Sequence, residues 1–303
     1  MAVHGYRCRC HSSWSHCGNF EFESIALSPK VGCVVLTMGT RPAELDRSVQ
    51  SLLAQTGVET DIVVVGNGWD PVNIPAGVAT HFLPENIGAT AGRNAGAAVV
   101  TGDYLFFLDD DAQLPTPTTL AQLIATIGPD TNAALVQPRV IDYNGVSEPK
   151  RRVPRLRAGD VNQSGLATSL WEGGVAIRRD VFDSFGGWGE EFYYLHEGIE
   201  LCWRTWNTGH TVWYAGDIPV AHPPTTPARF AEFAFMNARN RVWLAKRNLP
   251  IVLVPIYPLT WLVITLLRVR SWSALKITCM GLVPVGFVMP VSAKQSSGQP
   301  FGL

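Results

Sequence analysis

Gly102-Asp103-Tyr104-Leu105-Phe106-Phe107-Leu108-Asp109-Asp110-Asp111 decides the fold. Its apolar run has the character of a strand buried on both faces, as in a parallel sheet, and it runs straight into three carboxylates. Upstream, Val31-Gly-Cys-Val-Val-Leu-Thr37 and Asp61-Ile-Val-Val-Val65 are two further buried strands, and His81-Phe-Leu83 is a short third one. Between the first two lies a helix whose Leu45, Val49, Leu52 and Leu53 recur at helical spacing, with Pro42 in its first turn. Asn86-Ile-Gly-Ala-Thr-Ala-Gly-Arg-Asn-Ala-Gly reads as a loop entering a helix of small residues able to pack closely on a sheet. Downstream come a strand over 133–140, a basic loop, a Gly-rich segment over 171–177, a helix over 198–208, a strand over 211–215 leading to His222, and a basic amphipathic helix over 230–249. Strands alternating with helices predict an α/β fold with a doubly wound, mostly parallel sheet. Such sheets bind ligands beyond the carboxyl ends of their strands, where Asp109 to Asp111 would lie.

Three adjacent carboxylates repel one another by about 1 to 4 kcal/mol per pair at about 4 Å, depending on the local dielectric. Two arrangements relieve this: one Asp caps the next helix while the others face water, or the group holds a hard divalent ion with positions left open for a diphosphate. The residues alone leave both open. Arg93 is either a surface cation on the small-residue helix or a partner for a diphosphate. A lone His such as His222 is more often structural than a ligand.

In order along the chain stand Val34-Val-Leu-Thr37 with Arg41, Ile62-Val-Val-Val65 with Asn67-Gly68, Asn86-x-Gly88 with Gly92-Arg93-Asn94-x-Gly96, and Gly102 to Asp111. Gly173-Gly-Val-Ala-Ile-Arg-Arg179, Phe185-Gly-Gly-Trp-x-Glu-Glu-Phe192, Glu197-Gly-Ile-Glu-Leu-Cys-Trp-Arg204 and His222 follow. Taken together, over about residues 31 to 248, these resemble the family 2 glycosyltransferases of GT-A fold, in particular bacterial cell-envelope rhamnosyl- and galactosyltransferases. The resemblance implies a nucleotide-sugar donor held by Thr37, Arg41, Asn67, Arg93, Asp109 and Asp110, and a Mg²⁺ or Mn²⁺ ion held by Asp111, Asp109 and His222. Asp111 is expected to be the direct ligand.

Two departures from the family pattern stand out. Gly66 occupies a position that is usually acidic and commonly contacts the nucleobase. The family's acid pair, whose second member usually serves as general base, is here Glu197-Gly198. An inverting transfer needs a carboxylate to take the acceptor hydroxyl's proton, so Glu197 is the expected base, with Glu200, one turn later, in reserve. As the first acid of a helix, Glu197 would equally suit the macrodipole. Trp171, Glu172 and Gly173 fall in the acceptor half and are expected to bind acceptor, Trp171 by stacking on a sugar. Lys150-Arg-Arg-Val-Pro-Arg-Leu-Arg157 is either a solvated loop or a site for a phosphate-bearing or lipid-diphosphate acceptor.

The whole chain of 303 residues carries a formal charge of −1, and the balance conceals an asymmetry. Residues 228–303 hold nine Lys/Arg and one acid, Glu232, for +8, which leaves −9 on the first 227. An acidic body argues against nucleic acid as partner, and a basic, apolar end suggests a membrane surface. Residues 249–267 are uncharged, but Pro250, Pro255 and Pro258 interrupt them, and basic residues flank both sides. These features predict a re-entrant or interfacial element or a tight hairpin with both ends cytoplasmic, or else a helix packed on the core. Six Cys are too sparse for a disulfide scaffold. The first 30 residues contain no run of signal-peptide length, so secretion is not expected. Cys8, Cys10, His11, His16 and Cys17 lack standard zinc-finger spacing. The expected organisation is a poorly ordered tail over 1–30, a glycosyltransferase domain over 31–227, and a basic helix with a membrane-associated apolar tail over 228–303. The expected activity is metal-dependent inverting transfer to a cell-envelope glycan or lipid-linked acceptor. Transfer to a small soluble acceptor, or a donor-binding protein without efficient turnover, are the alternatives.

Overall fold

The computed structural model describes residues 28–145, 154, 160–224, 233–268 and 278–282. Eight strands form one sheet: β1 (Lys30–Thr37), β2 (Glu59–Asn67), β3 (Ala79–Leu83), β4 (Tyr104–Asp109), β5 (Ala133–Ile141), β6 (Gly165–Leu166), β7 (Gly174–Arg178) and β8 (Thr211–Ala221). Their order is β3-β2-β1-β4-β7-β5-β8-β6. β3, β2, β1 and β4 are parallel, β5 and β8 are parallel, and β7 runs antiparallel to both β4 and β5. Every β1 residue from Val31 to Thr37 is buried, as is all of β4 after Tyr104. These two central strands are apolar along most of their length because both sheet faces are covered there.

On one face pack α1 (Pro42–Leu53) and α3 (Thr119–Thr126). On the other pack α2 (Ala89–Val99), α4 (Arg179–Ser184) and α5 (Glu197–Asn207). In α1, Leu45, Val49 and Leu52 are buried while Leu53, 100° further round, is exposed. Close approach of α2 requires its glycines. A Cβ at Gly92 would stand 2.6 Å from Leu36 Cδ1, and one at Gly96 2.4 Å from Val34 Cγ1.

The Gly-rich segment over 171–177 continues into β7, a strand that its glycines concealed. The eight residues of α3 are too few to display a helical period in the sequence. α6 (Phe233–Asn248) and α7 (Ile256–Arg268) complete the described chain. The former buries Met236, Ala238, Asn240, Leu244 and Ala245, so the basic helix beyond residue 227 is packed onto the body. Arg241 lies 3.9 Å from the Trp261 ring centroid, and Tyr257 meets Trp203 at 5.7 Å, which seats one side of α7. No helix among the described residues is long and apolar enough to cross a membrane. The Cys8 to Cys17 cluster, and the basic run over 150–157 apart from Pro154, lie outside the described residues.

Candidate functional site

β4 delivers Asp109, and the chain then turns so that Gln113 pairs with Ala221 at the end of β8 through two 2.9 Å hydrogen bonds. This bridge sets His222 beside Asp111, with Nε2 3.1 Å from Oδ1. The His222 backbone N–H donates to the Ile141 carbonyl at 2.9 Å, and the Tyr143 hydroxyl donates to the Asp111 carbonyl at 2.6 Å. His222 Nδ1 lies 2.7 Å from the Pro223 carbonyl, which can only accept, so that nitrogen carries a proton. In the neutral ring Nε2 then presents a lone pair to a carboxylate oxygen. Asp109, Asp111 and His222, all buried, each offer one ligand atom within 4.8 Å of the others. Two carboxylate oxygens and one imidazole nitrogen suit a hard to borderline divalent ion.

Two arginines divide the three Asp between them. Arg41 bridges Asp110, at 2.6 Å, and Asp111. Thr37 Oγ1 donates to the other Asp110 oxygen at 2.6 Å. Burial nevertheless pushes the Asp110 carboxyl up to about 6, against the pull of Arg41 and Thr37. On the other side, Arg93 is buried over the face of Trp188 and bonds Asp109 at 2.9 Å, with its second amino group 3.9 Å from Glu197.

Beyond Arg93 lies a pair of acids. Glu197 is 3% exposed and its Oε2 has no hydrogen-bond partner among the described residues. Glu172, partly exposed, accepts the Gly198 backbone N–H at 2.9 Å. Burial raises both carboxyls above the usual range, and Glu172 raises Glu197 further, while Arg93 opposes both shifts. Gly173 separates this pair from the Asp cluster. Its carbonyl accepts the Asp109 N–H, and a Cβ there would lie 2.3 Å from Asp109 Oδ2 and 2.1 Å from the Trp171 ring. Trp171 meets His222 edge-on at 5.0 Å, and the Trp171 backbone N–H donates to Gln137 Oε1 at 2.7 Å.

Thr37, Arg41, Arg93, Asp109 to Asp111, Trp171 to Gly173, Glu197 and His222 therefore converge on one sheet edge. Two sequence-predicted residues have other partners. Glu200 is buried in a separate ion-pair network, 2.6 Å from Arg204 and 3.1 Å from Arg247. Asn67 binds the 86–88 turn, donating to Asn86 and the Gly88 carbonyl and accepting the Ile87 N–H.

The loop before Glu197 went unnoticed in the sequence. Tyr193, Leu195 and His196 have φ of 62°, 76° and 68°, and fully buried Asn240 of α6 donates to the carbonyls of Phe192, Tyr194 and Leu195 at 3.0, 2.8 and 2.7 Å. Asn237 adds a 2.7 Å bond to His196. The only available signal was the pair of amides set among apolar residues in that helix.

The sheet order and the acidic edge define a GT-A-like α/β protein. Residues 33–186, just over half of the chain, match the domain described as Glycosyl transferase family 2, and the chain belongs to that family. It is 27% identical over 210 residues to the pre-mycofactocin glycosyltransferase of Mycobacterium tuberculosis, covering 65% of this chain and 43% of that protein. To the glucosyl-dolichyl phosphate glucuronosyltransferase of Haloferax volcanii it is 28% identical over 217 residues, covering 64% and 69%. The chain thus spans less than half the length of its mycobacterial relative. Similar folds include GalNAc-T7 with UDP, GalNAc and Mn²⁺ (TM-score 0.58, 16% identity, 72% of this chain and 48% of that one). Another is the mannosyltransferase PcManGT from Pyrobaculum calidifontis with GDP-Man and Mn²⁺ (TM-score 0.54, 14% identity, 84% and 85%).

Proposed function

We propose that this chain is a divalent-metal-dependent, inverting glycosyltransferase that moves a sugar from a nucleotide-sugar donor to a cell-envelope glycan or lipid-linked acceptor. The observation that carries this reading is the convergence of Asp109, Asp111 and His222 within 4.8 Å, beside Arg93 and an acid pair. The donor set fits Mg²⁺ or Mn²⁺, which when bound would neutralise charge on a departing nucleoside diphosphate. Around it the chain's own groups have distinct work. Arg41 and Arg93 hold the carboxylates apart and in place, and Thr37 fixes Asp110. Trp171 offers an aromatic wall beside His222. A carboxylate of the Glu172–Glu197 pair receives the acceptor hydroxyl's proton. Glu200, occupied by two arginines, is not available for that task.

The Haloferax relative, named for a dolichyl phosphate-linked substrate, supports a lipid-linked acceptor. Membrane-surface association is supported by α7 and the turn before it, where Ile251, Val252, Ile256, Leu259, Val263 and Leu267 are exposed. The positions from 256 onward recur at helical spacing on one side, and exposed Lys246 and Arg247 precede them. We infer from the cations flanking this apolar surface an interfacial association at the cytoplasmic face of the membrane.

The test is thermal stabilisation by UDP- and GDP-sugars with and without Mn²⁺, followed by nucleotide release. Stabilisation should require Mn²⁺ and vanish in Asp111→Asn. Metal-independent binding, or none to any nucleotide sugar, would refute the reading. In parallel, Ile256→Glu/Leu259→Glu should abolish sedimentation with anionic vesicles, and unchanged sedimentation removes the membrane assignment.

A further inference from the structure

Position 198 poses a chemical problem: a helix N-terminus facing the site carries no side chain where a base is needed. The structure shows what occupies the space. A Cβ built on Gly198 would fall 2.2 Å from Glu172 Oε1, 2.6 Å from its Cδ and 2.8 Å from its Cγ. The same Oε1 accepts the Gly198 N–H at 2.9 Å, so the carboxylate is tethered to the first turn of α5. Gly198 has no left-handed φ that would by itself demand glycine. It is the Glu172 side chain that fills the space, and it would have to shift for a side chain to stand there.

We propose that Glu172, reaching over from the segment before β7, supplies the proton-accepting carboxylate that position 198 lacks. This rests on the transferase reading above and deepens it. Exposure separates the two residues: Glu197 is 3% exposed, whereas Glu172 is partly exposed. Glu172 is also placed against the reacting region, because its neighbour Gly173 touches Asp109 and its neighbour Trp171 touches His222. In the reaction, the acceptor hydroxyl oxygen bonds to the anomeric carbon as that carbon's bond to the diphosphate oxygen breaks. The bonding pair leaves with the nucleoside diphosphate, and the hydroxyl proton passes to Glu172. Loss of a positioned base costs about 100- to 10,000-fold in rate.

The experiment is a carboxylate transplant, read by nucleotide release from UDP-glucose or GDP-mannose in Mn²⁺, with water as acceptor, and by donor dissociation constant. Glu172→Gln keeps the shape and can still accept the Gly198 N–H. It should retain donor affinity and lose at least about 100-fold in turnover. Glu172→Ala should be equally slow, and Glu172→Ala/Gly198→Asp should recover at least tenfold over it, since removing Glu172 clears the space that an Asp side chain needs. Gly198→Asp alone, with both carboxylates in one space, should be destabilised. A Glu172→Gln protein at the wild-type rate, or a double variant no faster than Glu172→Ala, overturns the assignment while leaving the transferase reading intact. A wild-type protein that binds donor but releases no nucleotide overturns both.

Discussion

Asn240→Asp should uncouple the loop before Glu197 from α6 while leaving side-chain volume nearly unchanged. In the wild type, two amide protons serve three carbonyls, those of Phe192, Tyr194 and Leu195, and Asn240 Oδ1 accepts Arg239 Nε at 3.0 Å. A carboxylate keeps the Arg239 contact and donates nothing. Two full-strength hydrogen bonds then disappear and buried carbonyls lose their donors, each at a cost of about 1 to 3 kcal/mol. The loop they restrain contains three residues at positive φ, each strained by about 1 to 3 kcal/mol. Once unclamped, the loop relaxes locally, which limits the global loss to about 3 kcal/mol. Urea unfolding should show this as a lower midpoint at unchanged slope, and Asn240→Ala should lose a comparable amount. Because Glu197 and Gly198 follow directly, turnover should fall further than donor affinity. An Asn240→Asp protein within about 0.5 kcal/mol of wild type, the scatter of ordinary surface substitutions, would refute the clamp.

Two further outcomes follow from the same geometry. Burial, and secondarily Arg241, depress the His196 imidazole to about 4, against the support of Asn237. The folded value lies below the unfolded one, so this contribution is present above about pH 6.5 and is lost as pH falls through about 4. Between pH 8 and pH 5 the loss is about 2 kcal/mol. Stability measured by urea titration across that range should flatten by this amount in His196→Asn, and an unaltered pH profile would contradict the assignment. Separately, restoring an acid at Gly66 should not restore a nucleobase contact. A Cβ there would stand 1.9 Å from the Trp69 carbonyl oxygen and within 3 Å of Pro71, so Gly66→Asp should cost about 3 kcal/mol and weaken donor binding. Wild-type melting temperature in that variant would refute the steric account.

The strands that carry the site were legible because burial on both faces leaves no alternation: the central runs of β1, β2 and β4, Val31–Leu36, Ile62–Val65 and Leu105–Leu108, contain no charged residue, and the acids stand out against them. The close approach of α2 was legible in its small residues for a similar reason. What escaped notice depends on neighbours distant in sequence. β7 is ordered by pairing with β4 and β5 on either side, and nothing in Gly174-Val-Ala-Ile-Arg178 announces that its direction is reversed. Glu200 sits one turn from Glu197 and looked like a second candidate base. The arginines that occupy it come from 4 and 47 residues further along. The vacancy at Gly198 was visible as a missing acid, whereas its cause lies 26 residues earlier in Glu172.

The electrostatics of the edge bind these observations together. Asp109, Asp110, Asp111, Glu172 and Glu197 share it with two guanidiniums, Arg41 and Arg93, and burial penalises every uncompensated charge. Two relief mechanisms are available without moving a residue: a proton retained by the Glu172–Glu197 pair, and a divalent ion on Asp109, Asp111 and His222. Burial holds both glutamates above the usual carboxylate range and so favours the first, while Arg93 pulls the other way. The second opposes the first, since positive charge placed near Asp109 favours the ionised form of the pair through the same field by which Asp109 now disfavours it. Arg93, bonded to Asp109 at 2.9 Å and 3.9 Å from Glu197, is the side chain that stands between the two groups of acids.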